Sequence, residues 1–214
     1  MLRSAGGGGI DLSGSLMALR CDMNVRPYEI RWHGRGGQGA ITAAKIMAQA
    51  AHYDGYRGVT AIPWFGAERR GAPVSASTRI CAEPIQVVSQ VEEPDMVVVL
   101  DQTLLKDCAV LKGLRSGGLV VVNSSRNPGD LNSNGRFNTA WVDATGICRE
   151  LGLIVAGLIV VNTAMLGAIA RASDLVTMSS VERAVRDRFP GHAASQNLAA
   201  IAKSFETTKI KRAD

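Results

Sequence analysis

The feature that most constrains this chain is a glycine-rich segment between a β-prone run and a helix-prone run. The segment HGRGGQG fits the spacing G-x-G-x-x-G through Gly34, Gly36 and Gly39. Before it, Tyr28 to His33 alternates and predicts a strand; after it, Gln38 to Tyr53 predicts a helix of small residues. A strand that turns through glycines into a helix is typical of α/β proteins, and it places free helix N–H groups beside the turn.

The rest of the chain continues to alternate between strand-like and helix-like patterns. The unbroken apolar runs in PDMVVVLDQ and GLVVVNSS are typical of parallel strands that are covered on both faces. We therefore predict an α/β fold: a doubly wound, mostly parallel sheet with helices on both faces and a helical C-terminal third. The glycine- and serine-rich residues 1–27 are expected to form a flexible leader, and residues 28–214 a single domain.

Proline and capping patterns predict several element boundaries. A strand from Tyr56 to Ile62 is expected to end at Pro63. Thr103 to Leu114 is predicted to be one helix, with Thr103 as its cap. Ser179 and Glu182 have the spacing of a capping box, which predicts the start of a later helix.

The most apolar stretch runs from Leu151 to Ala170 and is long enough to span a bilayer. However, Gly152 and Gly157 interrupt any helix in its first half, and the polar pair Asn162–Thr163 at its centre would be costly in lipid. We therefore expect a loop or short strand to about Val160, followed by a buried helix, and no membrane span.

Composition argues against several kinds of site. The net charge of +5 comes from scattered basic residues without a nucleic-acid motif, so we expect no nucleic-acid partner. The cysteines lack the spacing of zinc or iron–sulfur ligands, which predicts reduced thiols in a cytoplasmic protein and no metal on this chain. These cysteines are Cys21, Cys81, Cys108 and Cys148.

Catalytic side chains are scarce in this sequence. Of the three histidines, His33 at a strand end and His52 on a helix face are expected to be structural, and His192 begins a helix region with no acidic partner nearby. Nucleophile-elbow, paired-carboxylate and cysteine–histidine signatures are missing. We therefore assign no catalytic residue to this chain.

The glycine segment has two interpretations at this point: a phosphate cradle, to which Arg35 adds a positive charge, or a tight turn. A dinucleotide site also needs an acidic residue about 20 positions further on, at the tip of the second strand. Here that tip reads GVTAIPWFGAERRGAP, and Glu68 lies in a loop after a proline. An NAD(P)-dependent oxidoreductase is therefore a second hypothesis, in which Arg69 and Arg70 would favour NADP.

The stretch FGAERRGAP also has two interpretations. Arginines and exposed aromatic residues are typical of a contact surface for carboxylates, phosphates or a protein partner. Alternatively, Glu68 and the two arginines after it brace the loop internally. The sequence does not separate these alternatives.

Taken together, four segments resemble the gamma subunit of 2-oxoacid:ferredoxin oxidoreductases, a module also fused within single-chain pyruvate:ferredoxin oxidoreductases. The resemblance extends from about Tyr28 to about Phe205 and leaves the first 27 residues unmatched. The segments are IRWHGRGGQGAITAAKIMAQAA, PWFGAERRGAPVSASTRI, PDMVVVLDQTLL and NTAMLGAIA.

The resemblance implies an assembly that oxidatively decarboxylates a 2-oxoacid such as pyruvate and forms an acyl-CoA. Its partners would be alpha and beta (thiamine-binding) subunits and a cluster-bearing delta-type subunit or ferredoxin. Thiamine diphosphate, Mg²⁺, [4Fe-4S] clusters and CoA would belong to the complex, with none bound by this chain alone. The candidate CoA-facing or interface residues are Gly34, Arg35, Gly36, Gly37, Gln38, Gly39, Arg69 and Arg70. A CoA-binding regulatory module is a third hypothesis.

Overall fold

A seven-stranded sheet forms the centre of the computed structural model, which describes residues 26–64, 71–86, 89–129 and 135–213. Its strands follow the order β2-β3-β1-β4-β5-β6-β9 across the sheet, and β7 and β8 form a separate two-stranded hairpin. The strands are β1 Tyr28–Arg35, β2 Gly58–Trp64, β3 Pro73–Cys81, β4 Met96–Val99, β5 Leu119–Asn123, β6 Asn138–Val142, β7 Ile154–Val155, β8 Leu158–Ile159 and β9 Lys209–Lys211.

Most strands of the sheet run in one direction. The pairings β1–β4, β4–β5 and β5–β6 are parallel. Because β2 and β1 each pair antiparallel with β3, they run in the same direction as each other. Five of the seven strands therefore share a direction, and only β3 and β9 oppose it. This confirms the predicted α/β fold with a mostly parallel sheet.

The two faces of the sheet bury alternate residues of the central strands. Met96 and Val98 pack into the larger core, whereas Val97 and Val99 face the smaller one, and all four are fully buried. The larger core is built with residues of the five α-helices that the described part of the chain contains. These are α1 Ala40–Tyr53, α2 Ala144–Glu150, α3 Asn162–Ala172, α4 Met178–Arg188 and α5 Gly191–Thr207.

Short 3-10 helices, rather than the predicted single helix from Thr103 to Leu114, cover the smaller core. They are Gln102–Lys106 and Cys108–Leu111. The prediction of one helix was wrong because Asp107 between them is extended, with ψ 111°, and its side chain accepts a hydrogen bond from the Ala109 amide. Asp101, not Thr103, is the cap of the first 3-10 helix.

Two other boundary predictions were also wrong. Strand β2 continues through Pro63 to Trp64, which is tolerated because β2 is an edge strand that pairs only with β3. Helix α4 begins at Met178 and is capped by the side chain of Thr177, which accepts a hydrogen bond from the Ser180 amide at 3.2 Å, so no capping box forms at Ser179.

The apolar stretch from Leu151 onward has the predicted form: the hairpin of β7 and β8 precedes α3, whose residues from Asn162 to Ile169 are all buried. No helix among the described residues combines the length and apolar character that a bilayer span requires. Most of the predicted flexible leader lies outside the described residues. Arg26, the first residue that the structure describes, forms an ion pair with Asp95 at 2.6 Å.

Helices α3 and α5 approach closely at a glycine. A Cβ added to Gly167 would lie 2.3 Å from the carbonyl oxygen of Ile201, so the two backbones could not keep their positions. Glycine in the middle of a helix is otherwise unfavourable by about 1 kcal/mol relative to alanine. The close packing explains why glycine occurs here.

We predict that Gly167→Ala destabilises the chain by about 1–3 kcal/mol, because the clash outweighs the gain in helix propensity. Urea unfolding of the full chain measures the change. A gain in stability of about 1 kcal/mol, as propensity alone would give, contradicts the close approach of α3 and α5.

Candidate functional site

The glycine segment lies at the carboxyl edge of the parallel strands, where open α/β sheets bind their ligands. Strand β1 ends in this segment, at Arg35, and the neighbouring β4 is followed directly by Leu100 and Asp101. The Leu100 amide donates to the carbonyl of His33 at 2.8 Å, which continues the pairing of the two strands to their ends. Side chains that follow β1 and β4 therefore meet at one point.

A hydrogen-bond network joins the glycine segment to that point. The side chain of Gln38 accepts from the Arg35 amide at 2.8 Å and donates to Asp101 Oδ2 at 3.3 Å. The Arg35 guanidinium donates from Nε to the same carboxylate oxygen at 3.0 Å. Its remaining nitrogens donate to the carbonyl of Gly71 at 3.1 Å and to Oγ1 of Thr103 at 2.9 Å. The turn is thus held by charged and polar side chains.

Asp101 is the centre of this network and is held in its charged form. Burial by itself raises the pKa of this carboxyl group, but hydrogen bonds from Thr103 and the charge and hydrogen bond of Arg35 outweigh burial, so the pKa is lowered overall. Its other oxygen, Oδ1, accepts from both the amide and the hydroxyl of Thr103, at 2.9 and 2.6 Å. Each carboxylate oxygen therefore has defined donors.

Two glycines of the segment are required by their conformation and lie in close contact with later parts of the chain. Gly37 and Gly39 have φ angles of 99° and 84°, in the region that side chains rarely adopt. A Cβ on Gly37 would lie 2.3 Å from the Leu158 side chain, and a Cβ on Gly39 would lie 2.7 Å from the side-chain nitrogen Nδ2 of Asn162. The segment therefore packs against the β7–β8 hairpin and the start of α3.

An open cleft of about 550 Å³ lies between the glycine segment, the first turn of α1 and the hairpin. The glycine segment contributes Arg35, Gly36, Gly37 and Gly39 to its lining. The remaining walls are formed by Ala40, Ile41, Thr42, Val74, Val155, Ala156 and Leu158. This volume falls within the range of small-molecule sites.

Helix α1 presents uncapped N–H groups to the cleft. Its N-cap is Gly39, which has no side chain to accept a hydrogen bond. Within the described residues, the amides of Ala40, Ile41 and Thr42 donate no hydrogen bond, as expected for a first helical turn without a cap. Free amides and the partial positive charge of the helix end favour an anionic ligand at this position.

The structure describes some of the predicted site residues and not others. Those from Gly34 to Gly39 lie together around the turn, and Arg35 and three of the glycines line the cleft. Arg69 and Arg70 lie outside the described residues, together with Glu68, so both interpretations of FGAERRGAP stay predictions. The arginine that is described, Arg35, is already paired with a carboxylate, which reduces the charge that it offers to a ligand.

The histidine of β1 belongs to a separate polar cluster on the sheet. His33 Nε2 accepts a hydrogen bond from Arg31 Nε at 3.1 Å. Burial, helped by the charge of Arg31, lowers the pKa of His33 to about 4, so the ring is neutral near pH 7. The Arg31 guanidinium also donates to the carbonyls of Val110 and Lys112, at 3.0 and 2.6 Å. His33 therefore lies in a hydrogen-bonded cluster on the sheet, away from the glycine turn's own network.

The described part of the chain also bears on metal binding and thiol chemistry. It contains no group of three or more His, Cys, Asp or Glu side chains positioned to hold a metal ion. Cys81 and Cys148 are buried and form no disulfide within the described residues, and burial raises the pKa of Cys148 to about 12. A thiol with such a pKa is not ionised near pH 7, so it is a poor nucleophile.

The sheet order argues against the dinucleotide interpretation. In a dinucleotide-binding fold the second strand lies parallel to the first and beside it, and its tip holds the ribose. Here β3 lies between β1 and β2, so β2 occupies the far edge of the sheet. The tip of β2 is therefore not adjacent to the glycine turn.

Sequence reasoning did not identify Asp101 or the hairpin as parts of the site. The signal for Asp101 was its place directly after the apolar run MVVVL, where parallel strands deliver side chains to the carboxyl edge. The hairpin residues Val155 and Leu158 were expected only as a loop or short strand, and nothing in their pattern indicated contact with a glycine segment more than a hundred residues earlier.

Residues 29–207 match the protein family described as pyruvate ferredoxin/flavodoxin oxidoreductase. The common subunit gamma of pyruvate/ketoisovalerate oxidoreductases from Pyrococcus abyssi is 47% identical over 185 residues, covering 85% of this chain and 97% of that protein. Pyruvate synthase subunit PorC from Methanocaldococcus jannaschii is 48% identical over 177 residues, covering 83% and 94%. These matches confirm the resemblance found in the sequence and give no support to the NAD(P) alternative.

Solved structures agree with this result. Pyruvate oxidoreductase subunit PORC from Thermotoga maritima superposes with a TM-score of 0.73 at 33% identity, covering 87% of this chain and 99% of that one. A 2-oxoglutarate:ferredoxin oxidoreductase from Magnetococcus marinus has a TM-score of 0.65 at 17% identity, covering 84% of this chain but only 30% of that one. The second likeness concerns the fold alone, and there the fold is part of a much longer chain.

We predict that Asp101→Asn lowers the free energy of unfolding by about 1 kcal/mol near pH 7, a small value because the network is partly exposed. The lowered native pKa means that the carboxylate stabilises the fold above its unfolded pKa of about 3.9, and that this contribution is lost as the pH falls through the native pKa. Urea unfolding at about pH 7 and about pH 3 measures both values.

The control for this prediction is Glu182→Gln, which neutralises an exposed carboxylate whose ion pair with Arg186 is long, at 3.9 Å. It should leave stability nearly unchanged at either pH. An equal loss for Asp101→Asn at both pH values would show that the charge of Asp101 does not hold the turn.

Proposed function

Because the chain belongs to the pyruvate ferredoxin/flavodoxin oxidoreductase family, we propose that it is the gamma-type subunit of a complex that oxidatively decarboxylates a 2-oxoacid to an acyl-CoA. The observation that carries this proposal is the match over nearly their full length to relatives that are called gamma or PorC subunits. The electrons would pass to an iron–sulfur protein. Because this chain supplies no recognised catalytic set, its contribution is assembly and the route of CoA.

In this proposal the cofactors are divided among the partner subunits. Alpha and beta subunits hold thiamine diphosphate with Mg²⁺, and a delta-type subunit or ferredoxin carries the [4Fe-4S] clusters. Thiamine diphosphate supplies the carbanion chemistry that the reaction needs. The dispersed cysteines support a cytoplasmic location for the complex, because such thiols are typical of reducing compartments.

The cleft beside the glycine turn is the proposed contact of this chain with CoA. CoA is an anion through its phosphate groups, and the free amides of the first turn of α1 point toward the cleft. Arg35 lies at the cleft wall, although Asp101 balances part of its charge. Gly34, Gly36, Gly37, Gln38 and Gly39 shape this wall, and Arg69 and Arg70 are proposed to face the same ligand or a neighbouring subunit.

The β7–β8 hairpin is the proposed contact with a neighbouring subunit. Ile154 and Val155 are the large apolar side chains that stand exposed in the described part of the chain, at 52% and 66%. The segment from Leu151 to Val161 contains no charged residue. Ala156 at the tip has a φ of 49°, an unfavourable value for a residue other than glycine. Exposed apolar groups of this kind favour burial in a subunit interface.

Reconstitution tests the proposed function. The chain is combined anaerobically with thiamine-binding and cluster-bearing subunits of this family from the same organism. CoA-dependent oxidation of pyruvate and of 2-ketoisovalerate is followed with a viologen acceptor. We expect turnover by the full set, and none by this chain alone. Reduction of NAD(P)⁺ by the isolated chain, or full activity of the complex without it, would contradict the proposal.

The hairpin gives a second prediction. Val155→Asp should reduce assembly with the thiamine-binding subunits by about tenfold or more, because a charge would be buried in the interface. Its control is Ala202→Asp, which adds the same charge at an exposed position of α5 and should leave assembly unchanged. Analytical ultracentrifugation of the purified subunits measures both. Normal assembly of Val155→Asp would show that the hairpin is not an interface.

A further inference from the structure

A second cleft, of about 170 Å³, lies on the face of the sheet opposite the α-helices. Arg31 and His33 of β1 pair in register with Val97 and Val99 of β4, which face the smaller core, so Arg31 and His33 lie on that face too. The cleft shares no lining residue with the cleft at the glycine turn. Its polar and aromatic lining residues are Arg31, His33, Trp64, Ser75, Ser77 and Gln90.

Two arginines on this face differ in what balances their charge. Arg79 is 3% exposed and donates to the Glu29 carboxylate at 2.7 Å, so its charge is paired. The Arg31 guanidinium donates instead to the neutral ring of His33 and to three backbone carbonyls. Among the described residues it forms no ion pair with a carboxylate, and burial lowers its pKa. A partly buried cation with only neutral partners favours an anion beside it.

Two further donors belong to the wall of this cleft. Because His33 Nε2 accepts from Arg31 and the ring is neutral near pH 7, its proton is on Nδ1, which is therefore a donor. Within the part of the chain that the structure describes, Nδ1 and the Ser75 hydroxyl make no hydrogen bond, and neither is fully enclosed. Both are therefore available to a ligand in the cleft.

A carboxylate near the cleft, that of Asp107, does not neutralise Arg31. Its charge acts on His33, whose pKa it raises against the larger effect of burial. Asp107 is exposed, and its Oδ1 accepts from the Ala109 amide at 2.9 Å. Its charge is thus largely solvated, and the positive charge of Arg31 is left for a ligand.

We propose that this cleft binds a small monocarboxylate, whose carboxylate group lies beside Arg31 and accepts from His33 and Ser75. One unpaired positive charge matches one negative charge, and arginine is well suited to carboxylates. The volume is below that of sites for drug-sized ligands, which excludes a nucleotide or CoA. The remaining walls, formed by Trp64, Val91 and Ala109, give a short carbon chain an apolar surface that an inorganic anion would not use.

Titration of the full chain with pyruvate, without partner subunits, tests this site. The proposed function enters only in the choice of pyruvate as the probe, since a 2-oxoacid is what the complex would bring to the chain. NMR follows the indole N–H of Trp64, which donates to Ser77 at 3.0 Å in the cleft wall. We expect a saturable shift with a Kd of about 1 mM or tighter. Inorganic phosphate and CoA at the same ionic strength should not displace pyruvate, and displacement by either would overturn the proposal.

Two glutamines of the loop after β3 supply a matched pair of variants. Gln90 is exposed and lines the cleft, so Gln90→Glu places a competing carboxylate there and should weaken pyruvate binding by about tenfold or more. Gln86 is exposed and does not line the cleft, so Gln86→Glu should bind as the unaltered chain does. Equal binding by the two variants, or no binding by the unaltered chain, would overturn the proposal.

Arg31→Gln should abolish binding, because it removes the charge. Its thermal unfolding is measured alongside, since the guanidinium also holds three backbone carbonyls. If this variant does not fold, the two glutamine variants decide the question.

Two other carboxylates could occupy the same place, and each has its own test. If Glu68→Gln binds pyruvate and the unaltered chain does not, a carboxylate of this chain's own loop fills the cleft. If the isolated chain binds pyruvate but the assembled complex has lost this site, an acidic side chain of a partner subunit fills it. Either result would overturn the proposal of a free ligand.

Failure of this inference is distinguishable from failure of the proposed function, because the binding is measured without turnover. An active complex whose isolated gamma-type chain does not bind pyruvate would overturn the inference alone. A chain that binds pyruvate, with subunits that neither assemble nor turn over, would contradict the proposed function alone.

Discussion

The interaction between Asp101 and Arg35 is the constraint on which the carboxyl edge of this protein depends. The two residues are 66 positions apart and meet because β1 and β4 are parallel neighbours that end together. Gln38 joins the same carboxylate and closes the glycine turn onto it. The turn is thus held by a carboxylate at the end of the sheet, in addition to the conformations that its glycines allow. The same charged network explains how the glycine segment holds the N-terminal end of α1 in a defined position.

Two glycines of the fixed turn are in close contact with the segments that pack on it. Gly37 lies against Leu158 of the hairpin, and Gly39 lies against Asn162 at the start of α3. The apolar stretch that follows Leu151 therefore serves two purposes in one continuous run: it first forms an exposed hairpin beside the cleft and then a buried helix beneath it. The glycine turn, the apolar hairpin and the start of α1 together line one cleft.

The sequence was sufficient for those features that depend on local pattern. Unbroken apolar runs such as MVVV predicted buried parallel strands, because burial on both faces leaves no room for alternation. It was insufficient where a distant partner decides the structure. Asp107 breaks the predicted helix by capping a new turn, and Pro63 is tolerated only because β2 lies at an edge. The charged run KIK gave no sign of strand β9, which depends on pairing with β6. In the site, the glycines were predictable, whereas Asp101 required the three-dimensional arrangement.

We infer that the edge formed by the glycine turn and the hairpin faces the chemistry of other subunits. The most direct measurement is a structure of the assembled complex with CoA, determined by electron cryomicroscopy. We expect Ile154 and Val155 to be covered by a neighbouring subunit, and a phosphate of CoA to lie within hydrogen-bonding distance of the first-turn amides of α1. A complex in which the hairpin stays in solvent and CoA binds remote from this chain would contradict it.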